Sequence, residues 1–215
     1  MELYKTVKGE SKIEKIIEKS RFIAHVKPVS TREEADLFIA SVKKQYKDAT
    51  HNVPAMVIGD SFQIQWASDD GEPQGTSGAP IVQMLVKEGI TDVAVVVTRY
   101  FGGIKLGTGG LVRAYTGSAK AGVEAAGICS VREVISLKIC IEYTFFSRLQ
   151  SMAADPAAGP EGSKGFVISN VEYSDKVTIE ILAAPEDERK IMSSIMDITS
   201  GSAVILKKKM ILEKL

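Results

Sequence analysis

The chain has 215 residues, of which 45% are hydrophobic and 25% charged, a composition ordinary for a globular protein of one or two domains. Its 27 basic residues balance its 27 acidic ones, so no global field favours nucleic acid or an anionic membrane. The two cysteines are too few for a disulfide framework. The first residues, MELYKTVKGESKIEK, lack the apolar core of a signal peptide, and no apolar run reaches membrane-spanning length. These features predict a cytoplasmic protein.

The first half of the chain predicts β-hairpins and helices in alternation. Thr31 and Glu34 have capping-box spacing, and the apolar residues after them recur at helical intervals, which indicates a helix with one buried stripe. Short apolar alternations separated by turn residues indicate a hairpin on either side of that helix. The predicted elements are a hairpin over 11–29, a helix over 31–46 and a hairpin over 53–68, whose second strand alternates through Phe62, Ile64 and Trp66.

A polar loop and a glycine-rich segment follow. The loop is SDDGEPQGTSGAP at 68–80, after which we predict a short helix over 80–89 and a buried strand over 92–100. Five glycines then stand within TRYFGGIKLGTGGLVRAY at 98–115, directly ahead of a predicted helix that begins at Leu111.

From about residue 136 the pattern restarts as a second unit. Its predicted order, strand–helix–strand–strand–helix–strand, is that of a ferredoxin-like α+β domain. The stretch DPAAGPEGSKG at 155–165 predicts a Gly/Pro-rich loop inserted after the first helix of this unit. Because no flexible linker separates the halves, we predict two domains, 1–133 and 134–215, that pack against each other.

The glycine-rich segment fits neither common phosphate-binding motif. Gly102 and Gly107 have Walker spacing, but Thr108 and Gly109 stand where lysine and Ser/Thr are required, and Val112 breaks a dinucleotide fingerprint. Two interpretations stay open. The glycines either form tight turns and allow close helix–sheet packing, or they present unpaired helix amides to an anion, with positive side chains nearby.

The acidic loop and the histidines carry weaker signals. Asp69, Asp70 and Glu72 stand within four residues, which suits a hard cation, but EF-hand spacing is absent and a solvated turn has the same composition. His51 is one of two histidines, and no Ser–His–Asp arrangement can be argued. Cys129 lies in an apolar context without an activating partner. From these weak signals together, we predict no catalytic residue, no metal and no cofactor.

Taken together, four segments resemble the YigZ/IMPACT family. They are KSRFIA at 19–24, DATHN at 48–52, SDDGEPQGTSGAP at 68–80 and VVVTRYFGGIKLGTGGLVRAY at 95–115, and they occur in the right order. The resemblance implies a first domain with the fold of domain 2 of a small-subunit ribosomal protein, which elongation factor G domain IV and the GHMP kinases share. It implies a ferredoxin-like second domain similar to elongation factor G domain V.

The eukaryotic member of that family is a regulator of translation, so the resemblance implies a non-enzymatic binding protein. Its expected partners are the ribosome, RNA or a translation regulator, without sequence-specific DNA reading and without a membrane. The alternative is a phosphate- or nucleotide-binding enzyme that uses the glycine-rich helix start with a magnesium ion on the acidic loop. The predicted binding residues are Arg99, Tyr100, Phe101, Gly102, Gly103, Lys105, Gly107, Thr108, Gly109, Gly110, Arg113, Asp69, Asp70, Glu72 and His51.

Overall fold

The computed structural model describes residues 2–154 and 165–214, and it divides into two compact units, Glu2–Val131 and Arg132–Glu213. The predicted loop at 155–165 lies, except for Gly165, outside the described residues. No helix in the described part of the chain is long and apolar enough to cross a membrane. The chain is a mixed α/β protein.

The first unit is built on a five-stranded antiparallel sheet in the order β2-β3-β6-β4-β5. Helix α1 packs on one face of this sheet, and α2 and α3 pack on the other. The central strand β6 is therefore buried on both faces, which explains its continuous apolar run. The elements are β1 Glu2–Val7, β2 Ser11–Ile17, β3 Ser20–Pro28, α1 Arg32–Gln45, β4 His51–Ile58, β5 Ile64–Ala67, α2 Gly78–Lys87, β6 Val93–Tyr100 and α3 Gly107–Ala125.

The predicted first hairpin and first helix are confirmed. Strands β2 and β3 pair with Ile17 opposite Ser20, so the turn between them has two residues. The Thr31 hydroxyl accepts a hydrogen bond from the Glu34 amide at 3.2 Å, as the capping box predicts. The reciprocal bond differs, because the Glu34 carboxylate accepts from the Ser30 amide, one residue before the expected donor.

In the first unit, one strand is missing from the prediction, and β5 and α3 begin at other residues than predicted. Strand β1 was not predicted, since its few residues show no clear alternation. Phe62 lies in the turn of the second hairpin with a φ of 57°, and β5 begins only at Ile64. Helix α3 begins at Gly107, so three glycines expected ahead of the helix form its first turn. Leu106 precedes them without a side-chain cap.

The second unit has the predicted order of elements. Strand β7, Ile128–Ile141, runs without interruption through the predicted boundary and belongs to a five-stranded sheet ordered β1-β7-β9-β8, in which β10 also pairs with β7. Alternate residues of β7 and β9 are buried with Leu149, Ile191 and Ile195 of the two helices. The remaining elements are α4 Tyr143–Ala154, β8 Phe166–Tyr173, β9 Val177–Ala183, a 3-10 turn Pro185–Asp187, α5 Glu188–Ile198 and β10 Val204–Lys214.

Candidate functional site

A cleft of about 480 Å³ opens in the first unit at the start of α3. Its walls are apolar, from Phe101, Pro73, Leu106 and Leu111, and its polar groups come from four places along the chain. These are His51 at the start of β4, Glu72 in the acidic loop, Arg99 at the end of β6, and Lys105, Gly107 and Thr108 at the start of α3. We call it the α3 cleft.

Strand register brings the polar floor of the α3 cleft together. Arg99 stands opposite Phe22 of β3 on one side and opposite His51 of β4 on the other. Directly opposed residues share one face of a sheet, so all three side chains lie on the side of α2 and α3. Tyr100, the next residue, lies on the other face, where its ring stacks under Arg21 and its hydroxyl donates to Asp48.

The centre of the floor is a buried carboxylate. Oε1 of Glu72 accepts hydrogen bonds from Nη1 of Arg99 at 2.6 Å and from the Tyr115 hydroxyl at 2.7 Å. Glu72 is 9% exposed, Arg99 5% and Tyr115 0%. Burial, reinforced by the Glu72 hydrogen bond and charge, raises the pKa of Tyr115 far above its usual range, so this phenol stays a donor. The charges of Glu72 and Arg99 therefore compensate each other inside the protein.

His51 completes the floor from the side. Its Nδ1 lies 2.8 Å from the carbonyl oxygen of Asp70, and since a carbonyl only accepts, the proton belongs on Nδ1. Nε2 then faces Oε1 of Glu72 at 3.7 Å. The hydrogen bond to the Asp70 carbonyl therefore fixes the orientation of the ring at the wall of the cleft.

Arg99, one of the predicted binding residues, is buried and held by internal contacts. Its guanidinium carbon lies 5.4 Å from the ring centres of both Phe22 and Phe101, and its Nη2 donates to the Ser20 hydroxyl at 3.3 Å. Its Nε is buried without a hydrogen-bond partner among the described atoms. The Arg99 guanidinium makes internal contacts because the loop that carries Glu72 folds over the end of β6.

Asp69 and Asp70 do not join Glu72 in the cleft. The Asp69 carboxylate accepts from the amides of Gly75, Ser77 and Gly78 and from the Ser77 hydroxyl, so it closes the loop onto the start of α2. Burial alone would raise the pKa of Asp69, but these hydrogen bonds hold it below its usual range. Asp70 accepts from the Asn52 amide at 2.6 Å and from Lys43 at 2.5 Å.

The magnesium alternative finds no support in this arrangement. Its three proposed carboxylates point to three different sets of protein donors. Within residues 2–154 and 165–214, no group of three or more His, Cys, Asp or Glu side chains is placed to hold a metal ion. The acidic loop is therefore explained by its own hydrogen bonds.

The basic side chains at the start of α3 lie on two sides of that helix. Lys105 lines the α3 cleft, whereas Arg113 lines a separate hollow of about 500 Å³ with Ile17, Glu18 and Gly110. Lys105 also borders this second hollow, so it stands on the ridge between the two. Arg99 and Arg113 therefore line different hollows, and Lys105 borders both.

The positions of the other predicted glycines are explained by local backbone structure. A Cβ atom on Gly102 would lie 2.0 Å from the carbonyl oxygen of Lys19, so only glycine allows this approach. Gly103 has a φ of +85°, which favours glycine. Gly109 and Gly110 belong to the first turn of α3 and do not line the α3 cleft.

Sequence reasoning missed three residues of this site. The sequence places Tyr115 in a predicted helix and gives it no role, although it follows Leu111 by four positions and shares its buried side. Ser20 accepts from Arg99 and from the Gly102 amide at 3.2 Å. Pro73 forms part of the apolar wall. Ser20 and Pro73 stand inside the quoted segments KSRFIA and SDDGEPQGTSGAP, which was the available signal.

Comparison with known proteins gives a consistent result. Residues 18–123 match the family model described as the Impact N-terminal domain. The chain is 38% identical over 202 residues to "IMPACT family member YvyE" of Bacillus subtilis (strain 168), covering 94% of this chain and 89% of that protein. It is 31% identical over 193 residues to "IMPACT family member YigZ" of Escherichia coli (strain K12), covering 88% and 90%.

A solved structure titled "Crystal structure of an hypothetical protein" is similar along nearly its whole length. The identity is 29%, the TM-score is 0.58, and the similarity covers 96% of this chain and 97% of that one. All residues that line the α3 cleft fall within 18–123, the part matched by the family model.

Proposed function

This chain belongs to the IMPACT family, and from that premise we propose that it is a non-enzymatic regulator of translation that binds RNA on the ribosome through the α3 cleft. The translation link comes from the family resemblance, whose eukaryotic member is such a regulator. The observation that carries the binding site is that three of the four family segments line one cleft, while the fourth, KSRFIA, contacts Arg99 and Gly102 through Ser20. A role in translation would place the protein in the cytoplasm, as the sequence predicts.

Local charge supports an RNA partner although the whole chain is neutral. Lys19, Lys105 and Arg113 are exposed and have no ion-pair partner in the described part of the chain. The uncapped first turn of α3 adds the positive end of a helix dipole beside Lys105. Phosphate groups are bound by such unpaired cations, and each contact makes the affinity depend on salt.

The apolar wall supports binding of an unpaired base. Phe101 is 46% exposed, and one face of its ring is held by the Arg99 guanidinium. A base that stacks on an aromatic side chain gains about 1–3 kcal/mol irrespective of its identity. We therefore propose single-stranded RNA, with a base against Phe101 and a phosphate near Lys105 and the α3 amides.

The domain assignment belongs to the same proposal. We propose that residues 1–133 have the ribosomal-protein domain 2 fold and that residues 134–215 are ferredoxin-like. The strand order β10-β7-β9-β8, which reads 4-1-3-2 within the second unit, supports the latter. A compact division between Val131 and Arg132 supports the boundary.

A charge-reversal experiment tests the binding site. Lys105→Glu with Arg113→Glu should weaken binding to oligouridine and to purified ribosomes by at least about tenfold and lower the salt slope by about 2. Both side chains are exposed, so the melting temperature should stay near that of the parent chain.

The matched control is Lys44→Glu with Lys47→Glu. These exposed lysines lie at the end of α1, on the opposite face of the sheet from α3, and the change in net charge is the same. The control should bind like the parent chain. Equal binding by both double variants would remove the α3 cleft as the RNA site.

A further inference from the structure

The last strand of the second unit is exposed along almost its whole length. The first seven residues of β10, Val204 to Met210, are all exposed, and five large apolar side chains of this strand are 46–54% accessible. Among the described strands, β10 pairs only with β7. Its other edge therefore presents free backbone donors and acceptors beside apolar side chains.

Alternation along β10 separates its two faces. Lys208 donates to Glu188 at the start of α5, so residues of even number point toward the helices. Lys209 lies 3.6 Å from Glu180 of β9, so residues of odd number point to the open face. The apolar residues on the helix side are Val204, Leu206, Met210 and Leu212.

These four side chains extend the apolar layer of the sheet beyond its helices. Ile139 of β7 and Ile179 of β9, on the same side of the sheet, are 0% exposed. Leu206 and Leu212 are both 54% exposed. An uncovered apolar edge of this length is a liability for a protein that remains alone in solution.

The charges of β10 are self-complementary. Lys208 and Lys209 have acidic neighbours, whereas Lys207 and Glu213 have no ion-pair partner within residues 2–154 and 165–214. Lys207 and Glu213 lie on the same face, six positions apart. An antiparallel register that centres on Met210 would set each of them directly opposite the other.

We propose that β10 is a dimerisation strand that pairs antiparallel with β10 of a second copy of this chain. The two-fold axis passes between the two Met210 residues, as an isologous interface requires. Lys207 of each copy then faces Glu213 of the other, which forms two ion pairs on the open face. On the helix side, Leu212 of each copy lies against the aliphatic stem of Lys208 of the other.

Register decides between this pairing and its neighbours. Shifting the centre to Lys209 would place the two Lys209 side chains opposite each other. Shifting it to Lys208 would oppose the two Lys208 side chains and, in addition, Lys207 and Lys209. Shifting it to Ile211 would place Lys209 opposite Glu213 but Lys208 opposite Lys214. Like charges directly opposite are unfavourable, so the Met210 register is the one that the charge pattern favours.

The test is sedimentation velocity on the full chain from about 1 to about 200 μM, because dimerisation depends on concentration. We expect the parent chain to form a dimer in this range. Lys207→Glu alone and Glu213→Lys alone should each weaken the dimer at least about tenfold, since each puts like charges opposite each other. The double variant with both changes should restore it, because the two pairs re-form with their signs exchanged.

Arg148→Glu on α4 is the control for net charge, since Arg148 is exposed and lies outside β10. Circular dichroism should show that every variant is folded. A parent chain that stays monomeric overturns the proposal. So does a dimer that is insensitive to both single variants, or one that the double exchange fails to restore.

Discussion

Glu72 shows how one buried carboxylate can organise a site. It accepts hydrogen bonds from two side chains that lie 27 and 43 positions away along the chain, and a third group, His51, faces the same oxygen. Taking a charge out of water is costly, and only its partners offset that cost. The loop, the end of β6 and α3 are therefore coupled through a single side chain.

Removing that carboxylate should be strongly destabilising. Glu72→Ala would leave the Arg99 charge buried without its counter-ion, which should lower the free energy of unfolding by about 3–5 kcal/mol. Urea denaturation measures this value. Glu88→Ala removes the carboxylate of an exposed ion pair with Lys120 in the same unit and should cost less than about 1 kcal/mol. Equal losses in the two variants would contradict the burial argument.

His25 should make the first unit sensitive to acid. Burial, with a smaller contribution from the Lys12 charge, lowers the pKa of His25 to about 4 from its usual 6.5. Between these values the unfolded chain binds a proton that the folded chain does not, so stability falls as pH drops from 6.5 toward 4. The loss should reach roughly 3 kcal/mol.

The measurement is the free energy of unfolding against pH for the parent chain and for His25→Phe. The variant should lose that part of the pH dependence, and the curve above pH 7 should keep its shape. His51→Gln changes the other histidine and should retain the slope. A parallel pair of curves for the parent and His25→Phe would refute the assignment.

At the scale of elements, backbone approach explains why glycine stands where it does. The turn after β6 passes so close to the β2–β3 turn that Gly102 has no room for a Cβ atom. The same approach places the Gly102 amide on the Ser20 hydroxyl, which also accepts from Arg99. A substitution at Gly102 should therefore also displace Ser20 and Arg99 at the floor of the α3 cleft.

Two glycine substitutions should change the stability of the chain in opposite directions. Gly102→Ala forces the backbone away from Lys19 and should destabilise the chain by about 1–3 kcal/mol, with loss of RNA binding if the proposed function holds. Gly117→Ala lies inside α3 with nothing within 4 Å of the added atom. It should stabilise the chain by about 0.5–1 kcal/mol. Thermal and urea unfolding of both variants check this difference, and a loss of stability in Gly117→Ala would count against it.

Sequence patterns predicted elements better than they predicted contacts. Helix α1 followed from its period and its Thr31 cap, and β6 from its apolar run, because such signals lie within a few neighbouring residues. Strand β1 gave no such signal. The role of Asp69 at α2 and the burial of Arg99 depend on residues brought together by the fold, so spacing along the chain could not reveal them.

At the scale of the whole molecule, net charge is a poor guide to binding. The chain is neutral, yet most of its acidic groups near the α3 cleft are already engaged with protein donors. The cations on the ridge and on the β2–β3 turn have no such engagement in the described part of the chain. Because the carboxylates are bound to protein donors while these cations have no ion-pair partner among the described residues, the surface is locally positive, which composition cannot show.

The position of Lys105 has an electrostatic consequence. One ammonium group sits at the lip shared by two hollows, and it can neutralise a negative group in only one of them at a time. Whatever anion draws it to one side leaves the other side without that charge. Occupants of the two hollows should thus exclude each other electrostatically, even when they never touch.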